Sequence, residues 1–121
     1  MATPVAIVPL GDVIAASNTG SAAAQVVTTL PKVAGRMNYI RGFTVSVGLA
    51  TAAVTTTLTI SGLATANLVF EIAESTTAGG QLDVTFPYPI PASAINTDIV
   101  GTLAAITNGG AGSVVLYGER V

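Results

Sequence analysis

Few side chains in this sequence have the chemistry that catalysis needs. The 121 residues include no histidine and no cysteine, which removes the commonest general base, the commonest metal ligand and all thiolate chemistry. Acidic residues remain, because two carboxylates on either side of a substrate can act as acid and base. Glu71 and Glu74 are three positions apart, however, so on a strand their side chains point to opposite faces.

The other acidic residues do not form an obvious pair either. Asp83 and Asp98 fall on different predicted strands, so a hydrolase with a carboxylate pair stays open as an alternative. We interpret the acidic side chains instead as solvated carboxylates at outward-facing positions. The sequence also contains no phosphate-binding loop and no EF-hand spacing. We therefore predict that the protein is not an enzyme, has no cofactor or metal and binds no small-molecule substrate.

The basic residues are clustered. Lys32, Arg36 and Arg41, three of the four, fall within ten positions. One interpretation is an exposed strand edge whose charges discourage pairing with other chains. The other is a basic patch that docks on an acidic partner surface, with Tyr39 between the cations as an amphipathic contact. We include all four residues among the candidate partner-binding residues.

Charge is scarce in the chain as a whole. Only 8% of the residues are charged and the net charge is −2, whereas about 25% is usual for a soluble domain. Such a chain has little to offer a phosphate backbone, so we predict no nucleic-acid partner. A surface with little charge is poorly protected against association. We therefore expect part of it to be covered by copies of the chain or by a partner.

Apolar and polar residues alternate along much of the chain, which is typical of β-strands. Turn residues separate the alternating runs, as in Asn108-Gly109-Gly110. This pattern predicts an all-β fold with an antiparallel β-sandwich or barrel of about seven or eight strands. The predicted strands cover residues 24–30, 37–47, 53–61, 67–73, 81–88, 98–106 and 113–120.

Alternation also predicts which residues share a face. Tyr39 is expected on the same face as Phe43, and Tyr88 is expected to point inward with Phe86. The run 87–93 contains three prolines, which cannot donate to a ladder of hydrogen bonds. It is therefore predicted to be an edge or a crossover between sheets.

No segment is predicted to cross a membrane. The stretch from Gly42 to Phe70 has no charged residue and is long enough to span a bilayer. Glycines interrupt it, however, and its apolar residues alternate with threonines, as in Val54, Leu58 and Ile60. That period of two indicates a strand and not a membrane helix. The first residues also lack the basic start of a secretory signal.

Residues 21–121 are predicted to form a single sandwich domain, while residues 1–20 have two interpretations. They form either the first strand and loop of that domain or an arm that docks on a neighbouring molecule by adding a strand to a sheet edge. The apolar candidates for such docking are Val5, Ile7, Val8 and Leu10.

The last predicted strand is apolar on both faces. Val115 and Tyr117 alternate with Val114 and Leu116, so neither face is marked as the solvent side. A strand of this kind belongs in the middle of a core or at a subunit interface. Val115 and Tyr117 are therefore candidate partner-binding residues.

Three stretches carry a family resemblance: residues 34–43 (AGRMNYIRGF), 86–93 (FPYPIPAS) and 115–119 (VLYGE). Together they resemble capsid decoration (cement) proteins of tailed bacteriophages. The resemblance implies a jelly-roll-like β-sandwich, often a homotrimer, seated on the major capsid protein at local three-fold positions of an icosahedral head. It implies a location on the virion's capsid surface, with assembly in the host cytoplasm. It transfers no individual functional residues.

The predicted function is therefore that of a non-enzymatic virion structural protein that binds and stabilises a phage head. The alternative is a tail-fibre or receptor-binding β-module, which would share the threonine-rich texture. Such a module should present exposed aromatic residues or a metal site for glycans. With 5% aromatic residues, no tryptophan, no histidine and no cysteine, the sequence is poor in both.

Overall fold

The computed structural model of the chain describes residues 11–121, and within that range it contains eight β-strands. Seven of them coincide, within a few residues at each end, with the strands that alternation predicts. The eighth lies in the N-terminal segment whose role the sequence left open. The strands are β1 (Asp12–Thr19), β2 (Val26–Leu30), β3 (Asn38–Val47), β4 (Val54–Ser61), β5 (Leu68–Glu74), β6 (Gly80–Pro91), β7 (Ile99–Leu103) and β8 (Gly112–Arg120).

The strands form two four-stranded antiparallel sheets. Sheet I has the order β1-β8-β3-β6, and sheet II has the order β2-β7-β4-β5. Apart from the β4–β5 hairpin, every connection passes from one sheet to the other, which is the arrangement of a two-sheet jelly roll. The predicted antiparallel, jelly-roll-like β-sandwich is confirmed. β1 pairs with β8 along its whole length, so the second half of the 1–20 segment is an edge strand of sheet I.

The core lies between the sheets and follows from the alternation of side chains. On β4, Leu58 and Ile60 are fully buried, while Thr57 and Thr59 face outward. Phe43 of β3 is the largest fully buried side chain and packs on Phe70 of β5, with 4.8 Å between the ring centroids. Alternate residues of each strand lie on the same face of the sheet. The alternating sequence pattern therefore gives each sheet one apolar side.

A bulge in β3 changes which residues face outward. The pairing register of β3 shifts between Ile40 and Gly42 against both of its neighbours. Ile40 and Phe43 are both in the core, so Tyr39 lies on the outer face. The prediction that Tyr39 shares a face with Phe43 was wrong, because a bulge adds one residue and reverses the alternation.

The proline-rich run lies on the other side of the same bulge. The prediction that it forms an edge is confirmed, since β6 is the outermost strand of sheet I. Between Thr85 and Ile90, four residues of β6 lie opposite the single residue Arg41. Phe86 still packs on the core, but Tyr88 is 81% exposed. The predicted inward orientation of Tyr88 was therefore wrong, because alternation does not continue through an irregular edge.

The two ends of the sandwich differ in composition. The charged end consists of loops 31–37, 62–67 and 92–98 with the start of β1 and the end of β8, and it holds Lys32, Arg36 and Arg120. The opposite end, which we name the neutral end, consists of loops 20–25, 48–53, 75–79 and 104–111. These four loops contain no charged residue.

Candidate interaction surfaces

The outer face of sheet I brings together four of the candidate partner-binding residues: Tyr39, Arg41, Val115 and Tyr117. The β3 bulge turns Tyr39 outward, and β8 presents Val115 and Tyr117 from the next strand. The Tyr117 hydroxyl lies 3.0 Å from the Thr44 hydroxyl on β3. Tyr117 is 43% exposed, and Val13 on the neighbouring edge strand is 73% exposed.

An ion pair lies on the same face. Arg41 donates from Nε to Oε1 of Glu119, whose side chain is only 1% exposed. The Arg41 side chain is 31% exposed. Its guanidinium therefore lies between solvent and the buried Glu119 carboxylate. Sequence reasoning did not identify Glu119. Its spacing of two and four residues from Tyr117 and Val115 placed it on their face, but nothing in the sequence gave the β3–β8 register.

The remaining two basic candidates lie elsewhere. Arg36 donates from Nη2 to Asp12 Oδ2 and to the Arg120 carbonyl, both at 3.0 Å. The Lys32 side chain is exposed in loop 31–37, where its backbone N–H donates to Asp98 Oδ1 at 2.6 Å. Since carboxylates neutralise Arg36 and Arg41, the three cations do not make the uniform basic patch that their spacing allowed.

A buried polar network holds the charged end together. Asn38 is 1% exposed and donates from Nδ2 to the carbonyls of Leu30 and Pro31, at 3.1 and 2.9 Å. Its Oδ1 accepts from Arg120 Nε at 3.0 Å, and Arg120 Nη2 donates to the Pro31 carbonyl. These bonds join β2, β3 and β8, so both sheets are fixed to each other here.

The neutral end contains a second buried carboxylate. Glu74 is only 4% exposed, and its Oε2 accepts a 2.7 Å hydrogen bond from the Gly110 backbone N–H. Spacing correctly predicted that Glu71 and Glu74 face opposite ways, and Glu71 is exposed. The expectation that Glu74 points to solvent was wrong, because it follows Phe70 and Ile72 on the inner face of β5.

A cavity of about 500 Å³ adjoins Glu74 at the neutral end. Its walls come from the start of β4, the end of β5 and loop 75–79. Ser75 orders that loop, since its Oγ accepts the Ala78 N–H at 2.9 Å and donates to the Ala78 carbonyl at 2.8 Å. The wall residues other than Glu74 are small, aliphatic or hydroxyl-bearing: Ala53, Val54, Thr55, Ala73, Ser75, Ala78 and Gly79.

Two other features of residues 11–121 complete the description. No group of three acidic side chains is close enough to hold a metal ion. No helix in this part of the chain is long and apolar enough to cross a membrane. The apolar candidates Val5, Ile7, Val8 and Leu10 lie outside the described residues, so their role stays a prediction.

Comparisons with known proteins give one distant likeness. No protein-family model matches the chain, and no curated protein matches it. Among solved structures, the chain is similar to a protein in the cryo-EM structure of a virus-like particle of the giant freshwater prawn Macrobrachium rosenbergii extra small virus. The match covers 98% of this chain and 86% of that one, with 10% identity and a TM-score of 0.36. A likeness this distant carries no conclusion about function.

Proposed function

We propose that this chain is a non-enzymatic structural protein of a virion, and specifically a capsid decoration protein that docks on the major capsid protein of a phage head. The observation that carries the proposal is the outer face of sheet I, where Tyr39, Val115 and Tyr117 surround the Arg41–Glu119 pair. Tyrosine and arginine are enriched at the centres of protein–protein interfaces.

The face suits docking because its main charges are already neutralised. A partner that covers Arg41 and Glu119 meets an ion pair and not two separate charges, so the desolvation cost of contact is reduced. Tyr117 offers an apolar ring with a hydroxyl already bonded to Thr44. Attachment through such a face should depend on apolar contact and only weakly on salt.

We further propose that the chain works as a homotrimer and that copies meet through the outer face of sheet II. That face is built from threonine and valine, with one charged residue, Glu71. A neutral β-face can be covered by a second copy at little electrostatic cost. Its principal members are Val27, Thr29, Thr57, Thr59, Val69, Val100 and Thr102.

The jelly-roll fold is compatible with this function but does not determine it. Two-sheet jelly rolls occur in viral capsid proteins and also in lectins and cupins, so the site and not the fold must support the assignment. The resemblance of residues 34–43, 86–93 and 115–119 to decoration proteins adds to the proposal.

The test is to locate the chain on purified particles by electron microscopy and to measure its attachment by co-sedimentation. We expect trimeric density on the outside of the head, with the outer face of sheet I against the shell. Tyr117→Ala should weaken attachment about tenfold or more, as loss of an interface anchor does. Ile95→Ala, at a 61% exposed position in loop 92–98 that belongs to neither proposed interface, is the matched control and should leave shell contact unchanged.

Two results would contradict the proposal. Density confined to the tail or its fibres would favour the receptor-binding alternative. Attachment that is unchanged in Tyr117→Ala but collapses between low and moderate salt would assign docking to exposed charge, with Lys32 the leading candidate.

A further inference from the structure

The outer edge of β1 is open to another strand. Within residues 11–121, β1 is the last strand of sheet I and pairs only with β8. It contains no proline, and its one charged residue, Asp12, lies at its first position. Val13 is 73% exposed, and Ala15 and Ser17 on the same face are exposed too. An edge of this kind can take a strand from another chain.

The pairing of β1 with β8 determines which of its backbone groups face outward. The Gly20 N–H donates to the Gly112 carbonyl at 2.9 Å, one step beyond the pairing of Thr19 with Ser113. In an antiparallel pair, the backbone groups of alternate residues point to opposite sides of the strand. The even-numbered residues of β1 therefore bond to β8. Val13, Ala15 and Ser17 direct their N–H and C=O groups to the open edge.

The other three edges are less suited to accept a strand. The outer half of β6 has prolines at 87, 89 and 91, and Asp83 lies in its regular half. β5 has Glu71 at its centre. β2 has only five residues, and the Val27 carbonyl already accepts a 2.9 Å hydrogen bond from Asn18 Nδ2. Prolines, charges and short length are common ways of protecting an edge strand.

We propose that the open edge of β1 pairs with β1 of a second copy of this chain, antiparallel and about a two-fold axis. The two four-stranded sheets I then become one continuous sheet. With the axis at Ala15, this residue lies opposite Ala15 of the second copy, and Val13 lies opposite Ser17 of the second copy. Every outward backbone group of these residues then meets a partner, as a self-complementary two-fold contact requires.

The distribution of charge favours a second copy as the occupant of this edge. In the proposed register, Asp12 lies opposite Asn18 of the second copy, so no charge meets its own counterpart. Pairing β5 or the regular half of β6 with itself about its middle would instead bring Glu71 or Asp83 beside its own copy, and like charges directly opposite are destabilising. The inference goes beyond the function proposed above, because it uses the edge of sheet I and neither sheet face. In the proposed trimer, this pairing would join one trimer to the next.

The test is analytical ultracentrifugation of the full chain over a series of concentrations. We expect wild type to show a two-fold association step. Ala15→Lys and Ala15→Glu should each weaken this step about fivefold or more, because each places like charges opposite one another at the axis. An equimolar mixture of the two variants should restore the step, since opposite charges then meet. Thr85→Lys, which adds the same charge at an exposed position on the other edge strand of sheet I, is the matched control and should associate like wild type.

A second variant tests the backbone contact without adding charge. Ser17→Pro removes an outward N–H and leaves the hydrogen bonds between β1 and β8 in place, so it should abolish the two-fold step in a folded chain. The proposal is overturned if wild type shows no two-fold step, if the Ala15 variants and Ser17→Pro associate like wild type, or if the mixture does not restore the step.

Two further outcomes separate this pairing from other contacts. A two-fold step without trimers would contradict the proposed trimer and leave the β1 pairing supported. If wild type does not self-associate but Ala15→Lys detaches the chain from particles in co-sedimentation, the edge takes a strand of the shell protein instead, and the proposed pairing is overturned.

Discussion

The two buried glutamates lie at opposite ends of the sandwich and have opposite surroundings. Glu119, near the charged end, is 1% exposed and is bonded by the Arg41 guanidinium. Glu74, at the neutral end, is 4% exposed and accepts one hydrogen bond within residues 11–121, from the Gly110 backbone N–H. The first is part of a network that closes the fold, while the second retains an unbalanced charge beside a cavity.

The difference shows that one fold can use a buried carboxylate in two ways. At the charged end, side chains of β3 and β8 satisfy one another, and Asn38 also bonds the Leu30 carbonyl of β2, so burial and stability act together. At the neutral end, glycine and alanine loops are joined mainly through backbone bonds, such as Ala50 N–H to the Ser75 carbonyl and Gly48 N–H to the Ala111 carbonyl. A charge left without a counterion there contributes little to stability.

Among the substitutions that compare the two ends, Asn38→Ala should lower the free energy of unfolding most. Asn38→Ala removes two hydrogen bonds to carbonyls and one acceptor for Arg120 from a fully buried position. Buried groups that lose their partners cost about 1–3 kcal/mol each, and part of that is recovered because Arg120 still bonds the Pro31 carbonyl. We expect the free energy of unfolding, measured in urea, to fall by about 3 kcal/mol.

The neutral end offers a matched control for that substitution. Asn108 is exposed, and its Oδ1 accepts only a 3.3 Å bond from the Thr51 hydroxyl. Asn108→Ala should change the unfolding free energy by less than about 0.5 kcal/mol. If the two asparagine variants are equally destabilised, the distinction between the ends does not hold.

The sequence predicted the strands better than the contacts between them. Alternation is local, so it gave the strands, the inner faces of β4 and β5 and the edge position of the proline-rich run. The Arg41–Glu119 and Asn38–Arg120 contacts join residues 78 and 82 positions apart, and they exist only because β3 lies beside β8. Without that register, Glu119 could not be recognised as buried, nor could Arg41 be recognised as its partner.

The β3 bulge explains why the predicted orientations of Tyr39 and Tyr88 were wrong. Its position between Ile40 and Gly42 depends on how β3 pairs with two neighbours at once, and a single strand carries no signal of that pairing. Glu74 was misjudged for another reason. Phe70 and Ile72 imply its inward position on β5, but a charged side chain at a strand end ordinarily indicates solvent exposure.

Glu119→Gln should cause the second largest loss of unfolding free energy. Glu119→Gln keeps the shape of the side chain but removes the charge that Arg41 meets, and a hydrogen bond to a charged group contributes about 1.5–3 kcal/mol. Because Arg41 is partly exposed and can turn to water, we expect a loss near the lower part of that range, about 2 kcal/mol. The measurement is again urea unfolding.

The exposed Asp12–Arg36 ion pair at the charged end allows the effect of burial to be distinguished from the effect of charge. Asp12 and Arg36 are joined at 3.0 Å, but their side chains keep 72% and 38% of their exposure. Asp12→Asn should cost less than about 0.5 kcal/mol, since surface ion pairs contribute little. A loss from Asp12→Asn as large as that from Glu119→Gln would mean that desolvation is not what distinguishes the two pairs.

Glu74→Gln should change the unfolding free energy least, although Glu74 is almost as buried as Glu119. Glu74→Gln keeps an oxygen that accepts the Gly110 N–H and removes a charge without a counterion, so the two consequences oppose each other. We expect the unfolding free energy to stay within about 0.5 kcal/mol of wild type or to rise. Glu74→Ala, which also removes the acceptor, should be about 1 kcal/mol less stable than wild type. A loss of about 2 kcal/mol in Glu74→Gln would show that the charge itself holds loop 104–111 in place, and the two glutamates would then be equivalent structural anchors.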